Sequence, residues 1–141
     1  MISGVDEAGR GPVFGPLVIA GVSFKDDDNL RKYGIKDSKQ LTAIKREEIL
    51  KRIKKICIDY KILVISARDI DDMRKVMTLN EIEINGFSQI IKKLKPKICY
   101  VDSVDVNEKR FGRNLQSNIK KYCKRLMLNI QSLSSERDIK T

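Results

Sequence analysis

The 141-residue sequence contains no histidine at all. This absence excludes serine-histidine-acid triads and every mechanism in which an imidazole acts as the general base. The three cysteines, Cys57, Cys99 and Cys123, are widely separated, and no C-x-x-C pair occurs. Without histidine or paired cysteines, we expect neither a zinc site nor a disulfide framework. No basic-then-apolar leader and no apolar run of membrane-spanning length occurs, so we expect a soluble, cytoplasmic protein without a membrane partner.

Basic residues outnumber acidic residues in this sequence. Lysine and arginine total 29 and aspartate and glutamate total 19, which leaves a net charge of +10 at pH 7. Such an excess indicates a polyanionic partner, most often nucleic acid. The alternative is a solvated lysine-rich surface of the kind found in proteins of AT-rich or heat-adapted genomes. Because 41% of the residues are hydrophobic, the chain can bury a core, and its length fits one domain over residues 1–141.

Strand and helix patterns alternate along the chain, which predicts an α/β domain with a mixed five-stranded sheet flanked by helices. Continuous apolar or β-branched runs indicate strands, and apolar residues spaced near 3.6 indicate amphipathic helices. The predicted strands are Met1–Ala8, Pro16–Phe24, Ile58–Ala67, Ile98–Asp102 and Arg125–Ile130; the predicted helices are Leu41–Ile56, Asp69–Lys95, closed by Pro96, and Arg110–Cys123.

Three carboxylates fall at the predicted strand ends. Asp6 and Glu7 close the first strand, and Asp102 closes the strand that reads ICYVD. Because strand ends at one edge of an α/β sheet converge, these acids would repel one another unless a cation neutralised them. Oxygen ligands alone suit Mg²⁺ or Mn²⁺, and a pair of such ions about 3.5–4 Å apart commonly serves phosphodiester hydrolysis. The alternative is that the two aspartates cap turns and Glu7 is solvated.

Four segments between Gly4 and Asn107 resemble, in the same order, those of the ribonuclease HII family (type 2 ribonuclease H), especially its archaeal members. They read GVDEAGRGPVFGPLVIAGV, KDSKQLTAIKREEI, TLNEIE and YVDSVDVN. The resemblance implies a ribonuclease H-like α/β fold with a C-terminal helical extension. It also implies an endonuclease that hydrolyses the RNA strand of RNA–DNA hybrids, and nicks duplex DNA at embedded ribonucleotides, with two metal ions.

The same resemblance assigns Asp6, Glu7 and Asp102 to three of the family's four metal-binding catalytic acids, with Mg²⁺ or Mn²⁺ as the cofactor. The fourth acid of the family lies in a His-Lys-Ala-Asp-like segment after the fifth strand, where this chain reads NIQSLSSERDIKT. Asp138 is the best ungapped match and Glu136 is the alternative. Either acid is equally well explained as a frayed terminal residue.

The resemblance also assigns residues that bind the substrate. Gly9, Arg10 and Gly11 match the loop that senses the ribonucleotide, since two glycines let the backbone approach the 2′-hydroxyl closely. Arg10 adds a phosphate contact or braces that loop. Ser38 and Lys39 match a second loop, which holds the nucleic-acid backbone.

The family's C-terminal helices have no counterpart in this sequence, so we expect a domain that is incomplete at its C-terminus. Three functions remain open at this point. The chain is an active endonuclease, or a truncated homologue that binds hybrids without cutting them or forms one half of a split enzyme whose second chain supplies the helices. Alternatively, the basic composition alone indicates a structural nucleic-acid or ribosome-associated protein, which leaves the three acids unexplained.

Overall fold

The structure of the chain, a computed structural model, describes residues 1–9, 15–25, 41–101, 108–122 and 129–132. Within these ranges strands and helices alternate as predicted. In chain order the elements are β1 (Ile2–Ala8), β2 (Leu17–Phe24), α1 (Ala43–Ile56), β3 (Asp59–Ile65), α2 (Ala67–Met73), α3 (Leu79–Leu94), β4 (Ile98–Val101), α4 (Glu108–Tyr122) and β5 (Asn129–Ser132).

A mixed sheet places β1 at its centre. The order of the five described strands is β3-β2-β1-β4-β5. β1 pairs antiparallel with β2 and parallel with β4, so that Val5 lies opposite Gly21 on one side and Val101 on the other. Because β1 and β4 run in the same direction, their C-terminal ends lie at the same edge of the sheet. The predicted mixed five-stranded sheet is therefore confirmed.

The prediction of one continuous helix over Asp69–Lys95 is wrong. Two helices occupy this range, because α2 ends at Met73 and α3 begins after Thr78. A capping box starts α3: the Thr78 hydroxyl accepts from the Glu81 amide at 3.2 Å, and the Glu81 carboxylate accepts from the Thr78 amide at 2.9 Å. These bonds satisfy amides that have no partner at a helix start, so they favour a new helix over a continued one.

The main core lies on one face of the sheet, beneath α3 and α4. α3 approaches β2 closely because glycines stand at the crossing: a Cβ on Gly86 would collide with the Ile19 side chain, and one on Gly21 would collide with Ile90. Phe87 of α3 and Phe111 of α4 pack edge to face, with ring centroids 5.9 Å apart. The two helices therefore share one core with the sheet.

The other face of the sheet is more open at its β3 edge. Ile62 and Val64 expose 56% and 60% of their surfaces, and they alternate along β3 with less exposed residues. α1 has no buried residue, although its Lys54 ammonium lies 5.4 Å from the centre of the Tyr60 ring. None of the described helices is both long and apolar enough to span a membrane.

We predict that Thr78→Ala lowers the free energy of unfolding by about 1 kcal/mol, because α3 then loses the side-chain cap at its first turn. Thr42→Ala is the matched control, since the Thr42 hydroxyl likewise accepts from the third amide of its helix, Lys45, but α1 has no buried residue. Urea denaturation followed by circular dichroism measures both changes. An equal or larger loss in Thr42→Ala would contradict the view that α3, rather than α1, belongs to the cooperative core.

Candidate functional site

The two acids of the candidate site lie near the C-terminal end of β1. Asp6 is exposed and pairs with Ala20 across the β1–β2 ladder, and Glu7 is half-buried and pairs with Ile19. The Asp6 carboxylate accepts a hydrogen bond from the Glu7 amide at 2.8 Å, which orients it at the strand end. The structure therefore places both acids at the sheet edge where the sequence predicts them.

Glu7 lies in an environment that disfavours its negative charge. Its pKa is raised to about 7 by burial first, then by the charge of Asp6, a side-chain hydrogen bond with Asp6 and the charge of Glu83, against a weaker opposing backbone hydrogen bond. One oxygen of the Glu7 carboxylate, Oε2, is buried and accepts no hydrogen bond from the described residues. A cation beside this oxygen would replace the missing partner and offset the crowded negative charge.

Gly9 directly follows β1. Its φ is +90°, and a Cβ added there would collide with the carbonyl oxygen of Pro16. Glycine adopts this conformation without the steric cost that other residues bear. The fold itself therefore requires glycine at position 9, and the predicted contact of Gly9 with a ribonucleotide stays a prediction.

The other predicted site residues lie outside the described residues: Arg10, Gly11, Ser38, Lys39, Asp102, Glu136 and Asp138. β4 ends at Val101, which pairs with Val5, so the chain leaves β4 at the sheet edge that carries Asp6 and Glu7. Across the part of the chain that the structure describes, no group of three or more cysteine or carboxylate side chains is placed to hold a metal ion. Asp6 and Glu7 fit such an ion through their oxygen ligands and the unbonded Glu7 Oε2.

Sequence reasoning missed Glu83, which lies near Glu7. This acid is 0% exposed in α3, and its charge contributes to the raised pKa of Glu7. The available signal was an acid between two isoleucines, Ile82 and Ile84, both of which are buried. Glutamate is rarely fully buried in proteins unless it is paired, so a buried glutamate in such a segment stands out.

Comparisons with known proteins agree with one another. The family model described as Ribonuclease HII matches residues 3–133. The chain is 47% identical over 116 residues to ribonuclease HII of Archaeoglobus fulgidus, covering 82% of this chain and 56% of that protein. It is 43% identical over 123 residues to ribonuclease HII of Methanosarcina barkeri, covering 86% of this chain and 55% of that protein. The chain thus spans about half the length of these curated relatives.

Solved structures show the same similarity. Ribonuclease HII of Archaeoglobus fulgidus, solved in a complex with PCNA, matches with a TM-score of 0.85 and 42% identity over 97% of this chain and 64% of that chain. Ribonuclease H2 of Pyrococcus horikoshii matches with a TM-score of 0.80 and 36% identity over 96% of this chain and 64% of that chain. The expected ribonuclease H-like fold is confirmed.

We predict that the chain binds Mn²⁺ more weakly below pH 7 than above it. The pKa of Glu7 is raised to about 7, so its carboxyl is neutral at lower pH and ionised at higher pH. Where binding must displace this proton, affinity falls up to about tenfold for each pH unit below the pKa. Titration calorimetry near pH 6 and pH 8 measures this dependence. Glu7→Gln, which cannot titrate, is the control with a flatter profile, and equal wild-type affinities at both pH values would contradict the prediction.

We predict that Gly9→Ala destabilises the chain by at least about 1–2 kcal/mol, the cost of a positive φ for a residue with a Cβ. Two glycines serve as controls: Gly15 has a φ of +133° but open space around a Cβ, and Gly4 has open space without a positive φ. Urea denaturation should therefore rank the losses as Gly9→Ala, then Gly15→Ala, then Gly4→Ala. A Gly9→Ala variant as stable as Gly4→Ala would contradict the described backbone conformation of Gly9.

Proposed function

The chain belongs to the ribonuclease HII family, and we propose that it is a metal-dependent endonuclease. Its proposed substrates are RNA–DNA hybrids, in which it cuts the RNA strand, and duplex DNA with embedded ribonucleotides. The observation that carries the proposal is the pair Asp6 and Glu7 at the end of the central strand, beside a parallel β4 whose last residue, Val101, lies opposite Val5. Asp102 follows directly in the sequence, and residues 1–141 are proposed as the ribonuclease H-like catalytic domain.

In the proposed site, Asp6, Glu7 and Asp102, with Asp138 or else Glu136 as the fourth acid, hold Mg²⁺ or Mn²⁺. When bound, a pair of such ions activates water and stabilises the leaving oxygen of the phosphodiester. The described residues prepare the site for this chemistry. The Glu7 amide orients the Asp6 carboxylate by a hydrogen bond. Glu7 itself has a buried oxygen, Oε2, that accepts no hydrogen bond from the described residues.

We propose that Gly9, Arg10 and Gly11 read the ribonucleotide, and that Ser38 and Lys39 hold the nucleic-acid backbone. The positive φ of Gly9 supports the first part, because a left-handed glycine leaves its backbone amide and carbonyl without a side chain that shields them. Such backbone groups can recognise a 2′-hydroxyl, which distinguishes RNA from DNA. The net charge of +10 supports general attraction to phosphates.

The sequence leads us to expect a nucleic-acid substrate and a second protein chain, and the comparisons support only the first. RNA–DNA hybrid or ribonucleotide-containing DNA follows from family membership and is proposed as the substrate. A second chain that supplies C-terminal helices has no support in the comparisons, and we do not propose it. The Archaeoglobus fulgidus relative was solved with PCNA, and no described residue of this chain argues for the same contact.

We predict that the chain, given Mn²⁺, cuts a labelled duplex with a single ribonucleotide but not the all-DNA duplex of the same sequence. Asp6→Asn should lose cleavage, because one carboxylate ligand becomes a neutral amide, and should keep binding to the duplex. Asp71→Asn is the matched control, since Asp71 is exposed on α2 and its replacement removes the same charge.

Each outcome of this experiment separates two functions. A wild-type chain that binds the ribonucleotide duplex selectively but does not cut it would favour the binding module. Equal binding of both duplexes without cleavage would favour the structural nucleic-acid protein. Cleavage that survives Asp6→Asn would contradict the proposed metal site.

A further inference from the structure

A line of basic side chains runs along the exposed side of α4. Lys109, Arg113 and Lys120 are exposed, and we call these three residues the α4 stripe. Since each residue turns a helix by about 100°, the three positions fall within about 40° of one another around the helix axis. Their side chains therefore project from one side of α4, one above another.

The opposite side of α4 belongs to the core. Its buried residues recur every four positions, at Phe111, Leu115 and Ile119. The Phe111 ring packs edge to face on Phe87 of α3, with ring centroids 5.9 Å apart. Core packing therefore fixes the rotation of α4 and directs the α4 stripe away from the sheet and from α3.

Helix stability does not account for the α4 stripe. Lys109 is the second residue of α4, in the first turn, where the helix dipole disfavours positive charge. Lys109 and Arg113 are like charges four residues apart, and such pairs destabilise a helix. From Lys109 to Tyr122, α4 contains no acidic residue that could offset this repulsion.

α1 shows how a charged helix usually balances its charges. Its Glu47 and Glu48 precede Lys51 and Arg52 by four residues, a spacing at which opposite charges stabilise a helix. α4 has no acid three or four residues from any member of its stripe. Positive charge on α4 is therefore better explained by a partner with negative charge than by contacts within the helix.

α4 connects the parallel strands β4 and β5. β4 ends at Val101, at the sheet edge that carries the candidate acids, and β5 begins opposite Ile98, the first residue of β4. Because the two strands are parallel, α4 carries the chain from the edge of the candidate site back to the opposite edge. The stripe therefore begins on the side of the candidate site with Lys109, and it extends along roughly 16 Å of helix to Lys120.

We propose that the α4 stripe binds the phosphate backbone of the nucleic-acid duplex, outside the candidate metal site. This inference rests on the proposed function, because it concerns the substrate of the same site. A duplex carries one negative charge about every 1.7 Å along its axis, so a line of positive charge roughly 16 Å long faces several phosphates. Lysine and arginine contacts of this kind position a duplex but do not read its sequence. The stripe should therefore contribute equally to binding of ribonucleotide-containing and all-DNA duplexes.

The test measures binding of labelled duplexes by fluorescence anisotropy in EDTA, at a series of KCl concentrations. The triple variant Lys109→Gln/Arg113→Gln/Lys120→Gln removes the stripe, and glutamine forms helix about as readily as lysine and arginine. Each lost phosphate contact reduces the slope of log affinity against log salt by about 1, so we expect the slope to fall by about 3. Affinity should fall by the same factor for the duplex with a single ribonucleotide and for its all-DNA counterpart.

The matched control is the triple variant Lys93→Gln/Lys95→Gln/Lys97→Gln. It removes the same charge from exposed lysines between the end of α3 and the start of β4, at the sheet edge opposite the candidate site. Its salt slope should change by less than about 1, because these lysines are not expected to contact phosphates. A fall of equal size in both triple variants would reflect net charge alone and would overturn the inference.

Circular dichroism shows whether each variant is folded. If the α4 triple variant does not fold, Arg113→Gln and the charge-retaining Arg113→Lys replace it in the comparison. A slope that is lower by about 1 in Arg113→Gln but unchanged in Arg113→Lys supports the inference. Equal slopes in Arg113→Gln and the wild-type chain overturn it.

Cleavage of the ribonucleotide duplex by the wild-type chain in Mn²⁺ tests the proposed nuclease function separately. If the chain cuts but the α4 triple variant keeps the wild-type slope, only the inference about α4 is overturned. If the chain does not cut but the slope depends on the stripe, the inference holds for a protein that binds duplexes without cleaving them. A wild-type chain that binds neither duplex overturns both.

Discussion

The parallel pairing of β1 with β4 is the constraint on which the candidate site depends. The backbone ladder sets Val5 opposite Val101, so both strands finish at one edge of the sheet. Carboxylates do not gather by mutual attraction, because like charges at short range raise one another's pKa. Burial is the main cause that raises the pKa of Glu7 to about 7, and the charge of Asp6 adds to it. Asp6 and Glu7 stay together because they are neighbours on β1, and the ladder brings the end of β4, at Val101, to the same sheet edge.

The core beneath α3 supplies the stability that this arrangement requires. Gly21 and Gly86 let the helix approach β2, and the side chains of Ile19 and Ile90 occupy the space that the absent Cβ atoms leave. The same close approach brings the buried Glu83 to the side of Glu7. The contacts that stabilise the domain therefore also fix the position of this buried acid beside the candidate site.

Much of this arrangement is predictable from the sequence, and the exceptions have physical reasons. The alternating patterns predict the sheet and place Asp6 and Glu7 at the end of β1. Hydrophobic periodicity does not reveal the break before α3, because apolar residues continue at helical spacing on both sides of it. Only the Thr78–Glu81 capping box marks the start of the new helix. Periodicity also does not predict the burial of Glu83. Both the sheet and α4 cover α3, so this helix buries a wider arc of its surface than one apolar stripe. Roles for Arg10 and Asp102 come from family resemblance and stay predictions.

The opposite charges of the site and of the whole chain impose one further condition. With a net charge of +10, the chain attracts phosphates over a long range, whereas Asp6 and Glu7 repel them at the sheet edge. A phosphodiester can approach these carboxylates only when protons or cations offset their charge. Protonation of Glu7 removes one charge but also removes a ligand, so protons and metal ions compete for the same oxygens. Divalent cations neutralise the acids without removing a ligand, and they also present positive charge to the phosphate. In the proposed enzyme, the net positive charge would therefore attract the nucleic acid from a distance. The metal would then let the phosphodiester approach the acids.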